Sequence, residues 1–215
     1  MEQSDILKKV DHTALAAVTK WEDIDKLCKE AVQYQMASVC IPPSYVKRAY
    51  EKYGKELAIC TVIGFPLGYS TKESKVFEAA NAVENGAAEV DMVINLGDVK
   101  NGAFDAVTEE IREIKQAVGS KILKVIVETC YLDEEEKIRL CRCITEAGGD
   151  FIKTSTGFGP SGASVADVEL FQKHIGKNVQ IKAAGGIRKR EDFEAFYKAG
   201  VDRIGASCAL RVYEG

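Results

Sequence analysis

Short runs rich in β-branched residues alternate with amphipathic helical stretches along the whole chain, and no other feature narrows the possible folds as far. The strand-like runs lie near 10–15, 37–41, 57–63, 89–95, 122–129, 151–155, 179–183 and 203–207. Between them, 21–35, 44–53, 72–85, 104–118, 134–147, 165–174 and 190–199 carry apolar residues at helical spacing. Stop signals close several of these helices: Asn85-Gly86, Val118-Gly119, Gly148-Gly149 and Ala199-Gly200. Strands separated by helices pair in parallel, because each crossover returns the chain to the same end of the sheet. Eight such units predict a (β/α)8 TIM barrel, one domain over 1–215. Ser4 is placed to cap a short extra helix ahead of the first strand. After Ser207 only eight residues remain, enough for a short eighth helix. An open dinucleotide-binding sheet would carry G-x-G-x-x-G after its first strand, where this chain reads Asp11-His12-Thr13-Ala14-Leu15.

Side chains alternate faces along a strand, so each strand divides into two sets. One set is aliphatic: Val90, Met92, Ile94; Leu123, Val125, Val127; Ile152, Thr154; Val179, Ile181, Ala183. That set suits the helix-facing side. The other is polar for a barrel interior: Cys40; Asp91, Val93, Asn95; Lys124, Ile126, Glu128; Phe151, Lys153, Ser155; Gln180, Lys182, Ala184; Gly205, Ser207; with Asp11 from the first strand. Burying an ammonium without a partner costs several kcal/mol, so inward lysines pair with acids or stay partly hydrated. Lys124 and Glu128 read equally well as a structural ion network or as part of a site. Lys153 and Lys182 differ, because each is followed by a glycine-rich turn.

Those turns are Ser155-Thr156-Gly157-Phe158-Gly159-Pro160-Ser161-Gly162 and Ala184-Gly185-Gly186-Ile187-Arg188, joined by Ile204-Gly205-Ala206-Ser207. Glycine lets backbone N–H groups approach phosphate oxygens, and the loops after the last strands are the usual phosphate cradle of this architecture. Each turn alone could be an ordinary bend; three in succession point to a sugar-phosphate site and, with the lysines, to amine chemistry. Cys40 reads as a small packed residue lining that site, and His12 as structural. Lys72, Lys75, Arg112 and Lys115 read as solvated helix faces. Gly64-Phe65-Pro66-Leu67-Gly68 reads as an ordered loop on the active face, and Asp133-Glu134-Glu135-Glu136 as an acidic helix start.

The net charge of -4 offers no electrostatic footprint for nucleic acid. No apolar run reaches membrane-spanning length, and the first residues lack the basic start of a signal peptide, which predicts a cytoplasmic protein. Seven cysteines, an odd number falling mostly in apolar segments, read as reduced thiols. With two distant histidines the chain has little raw material for a zinc site or a Ser-His-Asp triad, so no metal and no cofactor are expected.

Asp150-Phe-Ile-Lys153-Thr-Ser-Thr-Gly157, Ile181-Lys182-Ala-Ala-Gly-Gly186, Ala88-Glu-Val-Asp91 and Leu123-Lys-Val-Ile-Val-Glu128-Thr closely resemble the deoxyribose-phosphate aldolase family. Asp11-His12-Thr13 and Ala37-Ser-Val-Cys40-Ile-Pro42 match as well, so the resemblance runs from the first strand to the last. It implies a class I aldolase that cleaves 2-deoxy-D-ribose 5-phosphate to glyceraldehyde 3-phosphate and acetaldehyde. Lys153 resembles the Schiff-base lysine, and Lys182 and Asp91 the lysine and aspartate of proton transfer. The resemblance also implies small sugar-phosphate and aldehyde partners and a homo-oligomer, dimer or tetramer. Some members carry a lysine where this chain has Phe158, and longer ones a C-terminal tail beyond the position of Gly215.

The chemistry agrees with the residues. A neutral amine must attack the aldehyde, and burial beside a second ammonium favours that form. Asp91 and Lys182 are placed to move protons, and Gly157, Gly185, Gly186, Gly205 and Ser207, with Arg188, to hold the phosphate. Asp11, Cys40, Lys124, Glu128 and Thr156 are expected to line the site. Three rival readings remain at this stage. They are a Schiff-base aldolase with a ketose donor, a phosphate-binding isomerase or decarboxylase barrel, and a non-enzymatic sugar-phosphate sensor.

Overall fold

A computed structural model describes residues 2–214. Met1 and Gly215, the two ends of the expected 1–215 domain, lie outside the described residues. In chain order the elements are α1 Gln3–Leu7, β1 Val10–Thr13, α2 Trp21–Gln33, β2 Ser38–Ile41, α3 Val46–Tyr53 and β3 Ile59–Ile63. Next come α4 Lys72–Glu84, β4 Glu89–Val93, α5 Leu96–Lys100, α6 Phe104–Val118, β5 Ile122–Ile126 and α7 Glu134–Ala147. The series ends with β6 Phe151–Lys153, α8 Val165–His174, β7 Gln180–Ala184, α9 Arg190–Lys198, β8 Arg203–Ala206 and α10 Ala209–Glu214. All eight strands pair in parallel in sequence order, and β8 returns to β1 to close the barrel.

Local chemistry sets the boundaries. Thr71 and Ser164 accept the backbone N–H groups of Ser74 and Asp167 and so cap α4 and α8. Asp133 and Glu136 form a reciprocal capping box at the acidic start of α7. Gly119 and Gly148 end α6 and α7 with positive φ of 59° and 78°. The aliphatic strand set packs with the helices into one continuous core that includes Val90, Met92, Leu123, Val125, Ile152 and Ile181. Burying each such side chain stabilises the fold by roughly 1.5–3 kcal/mol. Inside the barrel, Cys40, Cys60 and Val62 form a separate small apolar cluster.

Four expectations need correction. Ser4 is not a cap: α1 starts one residue earlier, and Ser4 Oγ faces Glu2 Oε2 at 3.5 Å. Several strands are shorter than their apolar runs, so Asn95 and Glu128 leave the inward set. Asn95 instead accepts the Gly97 N–H at 3.0 Å and starts the unforeseen α5, while Glu128 turns left-handed at φ 53°. The expected helix over 44–53 splits into a 3-10 turn Pro43–Tyr45 and α3.

The fourth correction is Lys75, which is fully buried rather than solvated. Its Nζ donates to Glu110 Oε1 at 2.7 Å and to the Val93 carbonyl at 2.9 Å, tying α4 to α6 and to the end of β4. Gly64 makes room for it, since a Cβ there would fall 2.8 Å from Lys75 Cε. Lys115 is also partly covered, bonding Asp150 Oδ2 at 2.6 Å. A helical repeat marks which face points inward, but not whether a neighbouring helix covers the flank. Glu110→Leu should destabilise the protein by about 3–5 kcal/mol in urea unfolding, because it strands a buried ammonium. Adding Lys75→Met should recover most of that loss.

Candidate active site

Parallel register assembles the interior charges. Asp91 of β4 lies beside Lys124 of β5, Lys153 of β6 beside Lys182 of β7, and Lys182 beside Arg203 of β8. Paired positions in a parallel ladder face the same side, so these groups meet inside the barrel. Asp91 is their common partner. Its Oδ2 accepts from Lys153 Nζ at 2.7 Å and Lys182 Nζ at 2.8 Å, and its Oδ1 from Lys124 Nζ at 2.8 Å. Cys60 Sγ also donates to Oδ1, at 3.1 Å. Lys182 forms a second ion pair with Asp11 Oδ2 at 2.5 Å, and Lys124 one with Glu89 Oε2 at 2.6 Å. Arg203 closes the network, bridging Asp11 Oδ1 at 2.5 Å and Glu89 Oε1 at 2.8 Å.

Burial penalises the charges of Asp11, Asp91, Lys124, Lys182 and Arg203, and the ion pairs outweigh it. Burial would raise the Asp91 carboxyl, yet Lys124, Lys153 and Lys182 hold it well below the usual carboxylate range. Asp11 is lowered in the same way, against burial, by Lys182, Lys124 and Arg203. Lys182 is held above the ordinary lysine range because Asp11 and Asp91 more than offset its desolvation. Lys124 is raised too, with burial overcome first by Asp91. Burial pushes the Cys60 thiol well up, so it remains a donor. The carboxylates of Asp11, Glu89 and Asp91 are matched in number by Lys124, Lys182 and Arg203, so the network requires no charge on Lys153.

A cavity of about 1170 Å³ opens at the carboxyl ends of the strands. Among the charged residues of the network, Lys153 lines that cavity; Asp91, Lys124 and Lys182 lie beneath it, fully buried. Gly157, Gly185, Gly186, Gly205, Ser207, Arg188 and Thr156 all line it too. Gly157, Gly185 and Gly186 have φ of 88°, 81° and 75°, a region that favours glycine. Gly162 packs so closely on the next loop that a Cβ would fall 2.1 Å from the Gly185 carbonyl oxygen. At Gly205 a Cβ would lie 3.2 Å from Lys182 Cε.

Four residues expected on the cavity wall sit elsewhere, among them Lys124, which is fully buried beneath it. Asp11 lies in the buried network, and Cys40 is fully buried in the small apolar cluster with Cys60. Glu128 is buried behind the wall, where one carboxylate oxygen accepts the Thr156 N–H at 3.1 Å and the other its hydroxyl. Glu89, Arg203 and Cys60 were not anticipated. Counting back two residues from Asp91 and from Gly205 on the same strand face reaches Glu89 and Arg203. Cys40, Cys60 and Asp91 bring donor atoms within 4.8 Å of one another, but the ammonium groups on Asp91 oppose a cation there.

In the folded protein Asp11 and Asp91 titrate below their unfolded value near 3.9, and Lys124 and Lys182 above theirs near 10.4. The acids therefore stabilise the fold above about pH 5 and lose that contribution as pH falls further. The lysines contribute fully below about pH 9 and lose it as pH rises through their folded range. Thermal melts followed by circular dichroism should show no loss from this network between those limits and a steep loss below about pH 4. Asp91→Leu should flatten the acid limb.

A family model described as DeoC/LacD family aldolase matches residues 6–214. The chain is 57% identical over 215 residues to the deoxyribose-phosphate aldolase of Clostridium botulinum (strain Alaska E43 / Type E3), covering 100% of this chain and 97% of the relative. It is 59% identical over 207 residues to that of Clostridioides difficile (strain 630), covering 96% and 94%. Among solved structures it matches the tetrameric deoxyribose phosphate aldolase of Aeropyrum pernix with a TM-score of 0.91 at 32% identity, covering 99% and 91%.

Proposed function

Because the chain belongs to the DeoC/LacD family of aldolases, we propose that Lys153 is the residue through which it works. The activity is a lyase reaction, the reversible cleavage of 2-deoxy-D-ribose 5-phosphate to D-glyceraldehyde 3-phosphate and acetaldehyde. One observation carries the choice of lysine: Lys153 alone of the three network lysines reaches the cavity, while its nitrogen touches the same Asp91 oxygen as Lys182.

The neutral Lys153 nitrogen attacks the C1 aldehyde, and water leaves to give an iminium. The C3 hydroxyl loses its proton and becomes a carbonyl as the C2–C3 bond breaks. That electron pair moves into the C1–C2 enamine, and glyceraldehyde 3-phosphate departs. A proton returns to C2, and water hydrolyses the iminium to release acetaldehyde and free Lys153. Asp91 Oδ2, shared by both nitrogens, is the short route for protons between Lys153 and the ammonium of Lys182. The glycine-rich turns after β6, β7 and β8, with Ser207 and the nearby Arg188, hold the phosphate through backbone donors and charge. The lysine supplies the electron sink, so the reaction is assigned no metal and no cofactor.

We assign residues 1–215 to one catalytic domain acting on small sugar phosphates and aldehydes. Among the described residues no helix is long and apolar enough to cross a membrane. A cytoplasmic setting follows from the free cysteines and from a metabolic substrate, with no role in nucleic-acid or membrane binding. Assembly into a dimer or tetramer is supported by the tetrameric Aeropyrum pernix relative and by the exposed aromatic side chains of Tyr69 and Phe77.

Borohydride reduction in the presence of acetaldehyde should add one ethyl group to the peptide carrying Lys153, in enzyme first dialysed against a strong chelator. Lys153→Ala should abolish both label and turnover. Label on Lys182 or Lys124 would reject the assignment, and turnover that vanished on chelation and returned with zinc would reject the metal-free mechanism. The cradle has its own test. At Gly186 the nearest atom to an added Cβ is 3.7 Å away, so Gly186→Ala acts through the backbone rather than by collision. It should raise KM for deoxyribose 5-phosphate about ten-fold while changing that for unphosphorylated deoxyribose far less. Equal losses would mean that the turn shapes the whole site.

A further inference from the structure

We propose that Phe158, braced edge-on by Phe65, is a specificity-determining residue. It favours acceptor aldehydes whose substituent is uncharged and apolar. The inference rests on the aldolase reading above and concerns the end of the substrate that departs as the second aldehyde.

Phe158 follows Gly157 at the rim of the cavity, lines it, and leaves 58% of its surface exposed. An exposed phenyl ring on a loop would ordinarily sweep through several rotamers. This one is held. Its ring lies 5.4 Å from that of Phe65, at 90°, the favoured edge-to-face geometry. Its backbone N–H donates to Thr156 Oγ1 at 3.0 Å, and Thr156 is itself fastened to the buried Glu128. Phe65 in turn packs with Leu15 against the Cys40, Cys60 and Val62 cluster. A ring fixed before the ligand arrives loses little entropy on contact, so its apolar surface counts more fully toward binding.

The two sides of the cavity therefore differ in kind. The loops after β7 and β8 present glycine backbone, suited to an anion. Phe158 reaches from the end of β6 toward the loop after β3, and with Leu15 it presents carbon. An acceptor bearing a phosphate turns it to the glycines. An acceptor with an alkyl chain in that place gains more by lying against the phenyl ring, where water is displaced from two apolar surfaces at once.

The test is a ratio. The kcat/KM for addition of acetaldehyde to butanal is divided by that for addition to glyceraldehyde 3-phosphate, in wild type, Phe158→Ser and Phe158→Lys. Phe158→Ser should lower the ratio about ten-fold, the scale of losing apolar contacts in a pocket, and Phe158→Lys further by adding a cation beside Gly157. Ratios within about two-fold of wild type in both variants would overturn the proposal. Melting curves compared with wild type exclude unfolding, which would lower both rates together and leave the ratio in place. Wild-type enzyme that joined acetaldehyde to neither aldehyde would overturn the aldolase reading itself.

Discussion

Asp91 makes the barrel interior possible. Three lysine nitrogens lie within 2.8 Å of its two oxygens, in a region where each lysine, taken alone, would be expelled or neutralised. Its charge survives because they surround it, and two of them are also held by other acids. The arrangement is circular: remove one carboxylate and at least two cations lose a partner. That interdependence explains why strand register is so tightly specified. A slip of one residue on β4 would carry Asp91 to the helix side and bring Val90 or Met92 inward. The hydrophobic pattern and the charge pattern select the same register.

The site also divides its labour between side chains and backbone. In the proposed mechanism, proton movement falls to the desolvated cluster beneath the cavity. In the same proposal, anion recognition falls to turns whose positive φ values favour glycine. Glu128 stands between the two, a buried carboxylate in a left-handed conformation whose oxygens meet neutral donors of Thr156. Its bonds to Thr156 fasten the turn that follows Lys153 to the segment after β5.

Much of this was legible in the chain. The alternation of strand and helix patterns implied a closed barrel, and period-two parity separated Asp91, Lys124, Lys153 and Lys182 from the aliphatic face. The glycine turns pointed to the end of the barrel where the cavity opens. What escaped has physical reasons. Glu89 and Arg203 begin their strands, where an acid or a base looks like a solvated terminus until the opposite strand is known. Cys60 resembled a small core residue because its thiol is a weak donor whose partner lies 31 positions away. Lys75 looked exposed because no periodicity within α4 reveals that α6 lies across it. Glu128 kept strand parity on paper while the backbone had already left the ladder.

Gly205 carries a consequence for anyone who would reshape this protein. A Cβ added there would stand 2.9 Å from Ala184 Cβ and 3.2 Å from the stem of Lys182. The proposed cradle and the proposed proton relay therefore touch at one vacant methyl. A mutational library that varies the anion loops as an independent module will find position 205 closed, since even alanine there would press on the relay beneath. The two proposed functions are therefore separable only as far as that contact allows.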